Sequence, residues 1–200
     1  MGRYQRRKED RPTEITAAAF AEFAENGYAA TRVEQVARRA GISKGLMYLY
    51  FKTKEDLFKA VIKSVVVPRV DALVAVVDST DTPAEDFIRG PMAEFMKNIP
   101  GSPVAVVIRL LLSEGPRHPD LVQFYYDNVV SKGLGAIRRI VERGIERGEF
   151  RRDALAEFPH LFIAPVMLAT IWRMLFSAQP LDSDRLIDTH LDMLIRRLQS

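Results

Sequence analysis

Apolar residues recur every three or four positions along most of the chain, which is the period of an amphipathic α-helix. No stretch of useful length shows the alternation that a half-buried β-strand requires. Glycine, proline and short polar runs separate the periodic segments and predict helices over about 11–26, 31–40, 43–51, 54–77, 83–98, 103–114, 119–147, 153–177 and 183–198. The sequence therefore predicts an all-α protein of about nine helices.

The ends of the first two predicted helices carry start and stop signals. Asp10 can cap the first helix, Pro12 lies in its first turn, and Gly27 stands where a left-handed residue ends a helix. Thr31 and Glu34 have the spacing of a capping box for the second helix.

The second and third predicted helices are short and adjacent. The second has a narrow apolar stripe formed by Val33, Val36, Ala37 and Ala40. Gly41 ends it, Ser43 is expected to cap the third helix, and Thr53 opens a fourth that Pro68 is expected to kink. Two short helices separated by a glycine turn indicate a helix-turn-helix.

The charge is distributed unevenly along the 200 residues. Residues 1–63 hold 13 Lys and Arg against 8 Asp and Glu, whereas residues 64–200 hold 16 against 18. A basic end on a slightly acidic body favours contact between that end and a polyanion. A solvated charged tail explains the charge alone equally well, so the helix-turn-helix pattern decides the interpretation.

Residues 13–61 resemble the DNA-binding domain of the TetR (tetracycline-repressor) family. The matching segments follow in order with the family's spacing: Asn26 to Tyr28, Thr31 to Ala37, Ala40 to Gly45, Tyr48 to Phe51 and Lys54 to Leu57. The rest of the chain is similar only in helix number and length. We therefore expect a disordered basic arm at 1–10, a DNA-binding domain at 11–57, and an effector-binding and dimerisation domain at 58–200.

The geometry of helix-turn-helix docking assigns base contacts to the start of the third helix. Lys44 suits guanine O6 and N7, Leu46 suits a thymine methyl group, and Gly45 allows close approach. With the positions that the resemblance implies, the predicted DNA-binding residues are Thr31, Arg32, Ser43, Lys44, Gly45, Leu46, Tyr48, Leu49, Tyr50 and Lys54.

Phosphate contacts are expected from Thr31, Lys54 and Tyr50. Packing is an open alternative for Tyr48 and Tyr50. At Leu46 the family often has a small residue, and Leu49 replaces a common histidine, so the operator sequence stays open. The basic residues of the arm can add nonspecific affinity, enter a minor groove or only solvate the chain; they are Arg3, Arg6, Arg7 and Lys8.

The sequence gives little support for catalysis or for metal binding. Gly41 to Gly45 satisfies the G-x-S-x-G pattern of α/β-hydrolases, but a helix rather than a strand precedes it, so Ser43 is better explained as a helix cap. His118, His160 and His190 lack metal-ligand spacing, and the chain has no cysteine. We expect no enzyme, no cofactor and no metal.

The resemblance implies that the last two helices pair with their symmetry mates in a homodimer. The apolar residues of both helices are numerous enough for a core and a partner. The dimerisation candidates are Leu161, Leu168, Leu191, Leu194 and Leu198, with Ile187 in the same stripe. A two-fold dimer fits a palindromic double-stranded DNA operator.

An effector pocket is expected between helices of the middle region, for a small hydrophobic or amphipathic molecule. Its candidate residues are Met92, Phe95, Met96, Arg109, Phe124, Tyr125, Phe162, Met167 and Trp172. Aromatic and methionine stripes equally describe an ordinary core. Arg109 interrupts an apolar run and needs Glu114, a ligand carboxylate or solvent as partner, and Arg173 raises the same question.

The resemblance implies a repressor that an effector releases from its operator, and the absence of cysteine favours the cytoplasm. A regulator controlled by a protein partner and an activator stay open, whereas an enzyme or carrier lacks a catalytic constellation. The apolar run at 161–176 is short for a membrane span and contains Pro165 and Arg173, so a buried helix explains it better. The basic N-terminus is followed by no apolar segment of a signal peptide.

Overall fold

Helices form most of the part of the chain that its computed structural model describes, which is the backbone of residues 2–199 and the side chains of residues 10–199. The α-helices are α1 Gly2–Ala30, α2 Val33–Arg39, α3 Lys44–Tyr50, α4 Lys54–Val65, α5 Val67–Ser79, α6 Ala84–Phe87, α7 Ala93–Lys97, α8 Pro103–Glu114, α9 Pro119–Tyr125, α10 Ser131–Glu146, α11 His160–Leu175 and α12 Ser183–Gln199. The π-helical segments Ile88–Met92 and Tyr126–Val130 join α6 to α7 and α9 to α10. The expected all-α architecture is confirmed.

The chain forms two compact units. Unit 1 comprises Met1–Pro68 and Val106–Tyr126, and unit 2 comprises Arg69–Ala105 and Asp127–Ser200. The predicted boundary after residue 57 therefore differs from the structure in two ways: all of α4 belongs to unit 1, and so does a segment from the middle of the sequence. The reason is burial, because the inner face of α4 packs on α1 and its other side on α9.

The first helix differs from its predicted start. It begins at Gly2 rather than near Arg11, so residues 2–10 are helical and Pro12 lies inside the helix. These residues are mostly good helix formers, and only Gly2 and Pro12 oppose a helix there. The side chains of the predicted arm contacts, Arg3, Arg6, Arg7 and Lys8, lie outside the described residues. At the other end Gly27 has a φ of 77°, as the predicted stop signal requires.

Unit 1 has an aromatic centre. The rings of Phe23, Tyr28 and Phe58 lie with centroids 5.4 to 5.5 Å apart, and all three side chains are buried. Val36 of α2 and Met47 of α3 are fully buried as well, and α2 packs on α1 while α3 packs on α2. Burial of these side chains, rather than the propensity of seven-residue helices, stabilises the helix-turn-helix.

The fourth predicted helix is two helices in the structure. The break lies at Val66, between α4 and α5, with Pro68 in the first turn of α5. A proline cannot donate an amide hydrogen bond and restricts the residue before it, so the expected kink becomes an interruption just upstream.

Unit 2 has its own core, built from α5, α6, α7, α10, α11 and α12 together with the π-helical segment between α6 and α7. Its fully buried large side chains include Phe87, Ile88, Met92, Met96 and Phe162. Gly144 of α10 lies where this helix meets α6, and the space a methyl group would need there is filled by Ala84 and Phe150. Between residues 2 and 199, no helix combines the length and apolar character that crossing a membrane requires.

Candidate nucleic-acid interface

The second helix begins one residue later than the sequence predicts. Arg32 is its N-cap: the Oε1 atom of Gln35 accepts a 2.7 Å hydrogen bond from the Arg32 amide, and the Arg32 carbonyl accepts from the Gln35 and Val36 amides. The capping box predicted for Thr31 and Glu34 is therefore wrong. Gln35 performs the role that was assigned to Glu34.

Thr31 faces the interior instead of a phosphate. Only 2% of it is exposed, and its hydroxyl lies 2.7 Å from the Gly27 carbonyl oxygen and 3.1 Å from that of Glu22. The turn at Gly27 interrupts α1 and leaves carbonyl oxygens there without helical amide donors. The single hydroxyl hydrogen of Thr31 is shared between these two carbonyl oxygens, so its side chain is an internal cap of α1.

The third helix presents its polar and apolar faces as a recognition helix does. Ser43 caps it by accepting a 3.1 Å hydrogen bond from the Leu46 amide, as predicted. Met47 points into the core, whereas Tyr48 is 40% exposed and Leu49 is 81% exposed. An exposed leucine on a helix of this kind is free to contact the apolar edge of a base.

Gly45 lies on the outer side of α3. A methyl group added there would meet no described atom within 4 Å, and the backbone of this residue is ordinary helix. Neither packing nor conformation within the chain therefore requires glycine. The predicted reason for a glycine at this position was the close approach of DNA to α3, and that explanation stays a prediction.

Lys44 forms an ion pair that was not predicted from the sequence. Its Nζ lies 2.5 Å from Oε1 of Glu34 and 5.9 Å from the centroid of the Tyr48 ring. The hydrogen bond from Lys44 lowers the pKa of Glu34, and the same bond raises the pKa of Lys44, so the pair stays ionised at neutral pH. One sequence feature could have indicated this pair: Glu34 is the one acidic residue between positions 31 and 54.

A surface cleft of about 260 Å³ adjoins this ion pair. Arg32, Glu34, Gln35 and Arg38 line it. With Lys44, these two arginines make the outer side of α2 and the start of α3 predominantly cationic, although the Glu34 carboxylate lies among them. Such a surface attracts the phosphates of a nucleic acid.

The ammonium group of Lys54 is not available on this surface, because backbone carbonyl oxygens bind it. Its Nζ donates to the carbonyl oxygens of Tyr28 at 2.8 Å, Ala29 at 3.2 Å and Thr31 at 3.3 Å. Burial lowers its pKa. The predicted phosphate contact is therefore an internal clamp between α4 and the end of α1. Tyr50 is half-buried, and Arg32 and Ser43 lie at the exposed starts of their helices.

A second internal clamp fixes α2 to α1. Nε of Arg39 donates to Oε1 of Glu22 at 2.7 Å, and its NH1 donates to Oε1 of Glu25 at 2.8 Å. Glu22 is 7% exposed whereas Arg39 is exposed, so only the carboxylate side of this pair is shielded from water. The orientation of α2, and with it the cationic surface, depends on this contact.

The predicted effector residues do not form one cluster. Arg109 is exposed and donates from NH2 to the carbonyl oxygen of Ala24 at 2.7 Å, within unit 1. Phe124 and Tyr125 also belong to unit 1, where burial raises the pKa of Tyr125 to about 12. Arg109 therefore has a backbone partner rather than Glu114.

The other candidates belong to unit 2. Met92, Met96 and Phe162 meet in its core, with Phe95 packed against them. Met167 and Trp172 are half-buried, and Nε1 of Trp172 donates to the Gln179 carbonyl at 3.1 Å. Arg173 is exposed.

The dimerisation candidates separate into two groups. Leu191, Leu194 and Leu198 of α12 are at most 8% exposed, and Ile187 is buried with them, so they serve the core of their own protomer. Leu161 and Leu168 of α11 are 38% and 50% exposed. Leu175, one further heptad along the helix, is 68% exposed and was not predicted.

Two family profiles match the chain. The profile described as bacterial regulatory proteins, tetR family, matches residues 15–61. The profile described as tetracyclin repressor-like, C-terminal domain, matches residues 77–193, which is more than half of the chain.

Whole-length relatives agree with these profiles. The fatty acid metabolism regulator protein of Bacillus subtilis is 26% identical over 191 residues, which cover 94% of this chain and 96% of the relative. The HTH-type transcriptional repressor KstR2 of Mycobacterium tuberculosis (strain ATCC 25618 / H37Rv) is 31% identical over 168 residues, covering 82% of this chain and 80% of that protein.

Solved structures share the fold. The transcriptional regulator FadR of Bacillus subtilis in complex with stearoyl-CoA superposes with a TM-score of 0.75 at 24% identity, covering 92% of this chain and 97% of that one. SmeT, the repressor of a Stenotrophomonas maltophilia multidrug efflux pump, gives a TM-score of 0.75 at 24% identity, over 93% and 89% of the two chains.

Proposed function

Because the chain belongs to the TetR family of bacterial transcriptional regulators, which are DNA-binding proteins and not enzymes, we propose that it is a homodimeric repressor. It binds a palindromic operator through α2 and α3 and is released when an amphipathic acyl effector binds unit 2. The observation that carries the proposal is the orientation of α3, which buries Met47 and exposes the side opposite.

The exposed side of α3 suits the major groove. Lys44 offers a donor for guanine, Leu49 and Leu46 offer apolar contacts for thymine methyl groups, and Tyr48 adds a hydroxyl. Arg32 and Arg38 lie beside them for the phosphates. Thr31 and Lys54 have no part in this contact, because their polar atoms are used inside unit 1.

The exposed leucines of α11 support the dimer. Leu161, Leu168 and Leu175 recur every seven residues, so they form one apolar stripe along the helix. Met193 of α12 adds a further side chain that is 63% exposed. A second copy of the chain covers such a stripe symmetrically, and a two-fold dimer places two recognition helices on two half-sites.

We assign the effector site to unit 2 because the core of this unit is rich in large apolar side chains. Met92, Met96 and Phe162 are large and apolar, and methionine adapts its shape readily to a bound chain. The segment Ile88–Met92 between α6 and α7 is π-helical, a conformation that recurs at functional sites. The Bacillus subtilis matches support an acyl ligand, since the curated relative is named a fatty acid metabolism regulator and the FadR structure is a complex with stearoyl-CoA. We therefore choose a long-chain acyl-CoA.

Release follows from differential binding. The apo dimer holds its recognition helices at the spacing of successive major grooves, and an effector that prefers another spacing lowers operator affinity by the same free energy. A coupling of about 3 kcal/mol gives a loss of roughly a hundredfold, which suffices for a switch.

DNA binding is tested on the fragment upstream of the protein's own gene. Fluorescence anisotropy across a salt series, with excess competitor DNA, should show specific binding by the wild type and none by a variant carrying Lys44→Ala and Tyr48→Ala. The variant Leu112→Ala changes an exposed side chain of unit 1 away from α2 and α3, and it should bind like the wild type. Equal binding by wild type and the double variant at every salt concentration would contradict the proposal.

The effector is tested in the same assay. Stearoyl-CoA should lower operator affinity by about a hundredfold, whereas coenzyme A alone should leave it unchanged. If operator binding is specific but no acyl-CoA of any chain length weakens it, the effector assignment fails and control by a protein partner becomes the better explanation.

A further inference from the structure

We propose that Glu34 determines operator specificity: with Lys44 it reads one G·C base pair in each half-site. The inference rests on the proposed function, since it concerns the same DNA-facing surface. It adds a carboxylate to an interface whose other contacts are cationic, hydroxyl or apolar.

The first observation is the isolation of Glu34. Between residues 31 and 54 the chain holds six basic residues and this single acid. Arg39 and Lys54 are used inside unit 1, and Lys44 is paired with Glu34 itself. The Glu34 side chain is 45% exposed and lines the same cleft as Arg32 and Arg38, the two arginines proposed to meet phosphates.

The second observation is that the fold does not need this carboxylate. The amide at the start of α2 is already bound by Gln35. Both side chains of the Glu34–Lys44 pair are well exposed, at 45% and 58%. Glu34 also lies in the first turn of α2, where the helix dipole favours a carboxylate. Exposed ion pairs and exposed first-turn carboxylates each contribute little to stability, so stability is a weak reason for this carboxylate.

The chemistry of the pair matches one base pair. In the major groove guanine presents the acceptors N7 and O6, and cytosine presents the N4 amino group as a donor. Guanine O6 and cytosine N4 are joined by a hydrogen bond of about 2.9 Å. The Glu34 and Lys44 atoms lie 2.5 Å apart, so an ammonium over O6 and a carboxylate over N4 reproduce that spacing.

Electrostatics adds a second contribution to specificity. Away from the operator, Glu34 holds the Lys44 ammonium and repels phosphates, so nonspecific binding is weaker than the basic surface would otherwise give. On the operator the same carboxylate gains a donor from cytosine. A group that is unfavourable on most DNA and satisfied at one base pair raises the ratio of specific to nonspecific affinity.

The test is selection of bound sequences from a random duplex library by the full-length wild type and by Glu34→Gln. The wild type should enrich a palindrome with a G·C pair at one position of each half-site. Replacing that pair by A·T should cost about tenfold in affinity per half-site. Glu34→Gln should lose the preference at that position alone and bind random DNA more tightly, with the salt slope steeper by about 0.9 for each Lys44 released to a phosphate.

Two controls isolate the pair. Glu157→Gln removes the same charge from an exposed position of unit 2 and should reproduce the wild-type sequence preference. In a Lys44→Ala background, Glu34→Gln should have much less effect on the ratio of operator to random-DNA affinity, because the pair no longer exists.

The outcomes separate this inference from the proposed function. If the wild type enriches a palindrome but Glu34→Gln enriches the same one with the same affinity ratio, the inference is wrong and the repressor proposal stands. If the wild type enriches no sequence, the repressor proposal itself fails.

Discussion

Lys54 closes the end of α1 by donating from its ammonium group to the carbonyl oxygen of Tyr28, 2.8 Å away. The same ammonium lies 4.5 Å from the centroid of the Tyr28 ring. The turn at Gly27 opens the carbonyls at this helix end, and a cation is the favoured partner for them. A single side chain at the start of α4 thereby joins α4 to α1.

Replacing Lys54 should therefore affect stability more than DNA electrostatics. Lys54→Met keeps the length of the side chain but leaves partly buried carbonyls without a donor, and we expect a loss of about 1–2 kcal/mol in the free energy of unfolding. Urea unfolding followed by circular dichroism measures this loss. Lys52→Met, two residues away on an exposed side chain, is the matched control and should leave the urea midpoint unchanged.

DNA binding distinguishes the two interpretations of Lys54. A phosphate contact would make the salt slope of operator binding shallower by about 0.9 per protomer in Lys54→Met. The clamp predicts an unchanged slope under conditions where the variant is folded. A shallower slope with an unchanged urea midpoint would restore the role that the sequence suggested.

Features set by neighbouring residues could be predicted from the sequence. The Ser43 cap depends on an amide three residues away, and the stop at Gly27 depends on its own φ. The ordered match from Asn26 to Leu57 indicated the helix-turn-helix and its family. Each of these needs only local geometry, so the fold class and the position of α3 follow without knowledge of tertiary packing.

The errors concern side chains whose partners are set by turns and tertiary packing, which helical periodicity does not describe. Thr31 and Arg109 both bind carbonyl oxygens of α1, and periodicity does not reveal that those carbonyls are open. The apolar stripe of α12 was predicted correctly, but its sequence pattern does not distinguish burial in the protomer core from burial against a second protomer. Glu34 was assigned to a cap because its spacing fits one, whereas Gln35 occupies that position in three dimensions.

Tyr28 should make unit 1 sensitive to alkali. It is 2% exposed, and burial, with added repulsion from Glu55 and Glu114, raises its pKa to about 12 from an ordinary value of 10.0. The protonated phenol is favoured in the folded protein, so its contribution is complete below about pH 10 and is lost as the pH rises towards 12. Between these limits the wild type should lose up to about 2 kcal/mol more than Tyr28→Phe.

The measurement is the urea midpoint of both proteins at intervals from pH 8 upward. The two proteins differ only in the Tyr28 hydroxyl, so the difference between the two curves isolates its contribution. Parallel curves up to pH 12 would show that the Tyr28 hydroxyl ionises without cost in the folded protein.

The crossing of α10 and α6 should tolerate no side chain at Gly144. A methyl group there would lie 2.8 Å from Cβ of Ala84 and closer still to the ring of Phe150. Overpacking of this kind costs about 1–3 kcal/mol, of which the better helix propensity of alanine offsets up to about 1 kcal/mol. Gly144→Ala should therefore lower the melting temperature of the protein.

Gly133 is the matched control on the same helix. A methyl group there meets no described atom within 4 Å, so Gly133→Ala should raise the melting temperature through helix propensity alone. Differential scanning calorimetry of both variants checks the contrast. Equal shifts in the same direction would contradict the close crossing at Gly144.

The leucine stripe of α11 predicts a dimer that one charge can break. Leu168 is the middle of the three exposed leucines and is 50% exposed. In a two-fold interface each copy of Leu168→Glu brings a carboxylate into an apolar contact, and the two copies lie on the same surface patch of each protomer. We expect the variant to be monomeric at concentrations where the wild type is dimeric, with the helical content unchanged because the position faces outward.

Analytical ultracentrifugation measures the mass, and Leu112→Glu is the control, since Leu112 is 53% exposed and belongs to unit 1. The control should remain dimeric. Because one protomer holds one recognition helix, the monomeric variant should also bind a half-site and a full palindrome with equal affinity per site. A dimeric Leu168→Glu protein would show that the stripe on α11 is not the interface, and the exposed side chains Phe158, Phe176 and Met193 would then be the next to change.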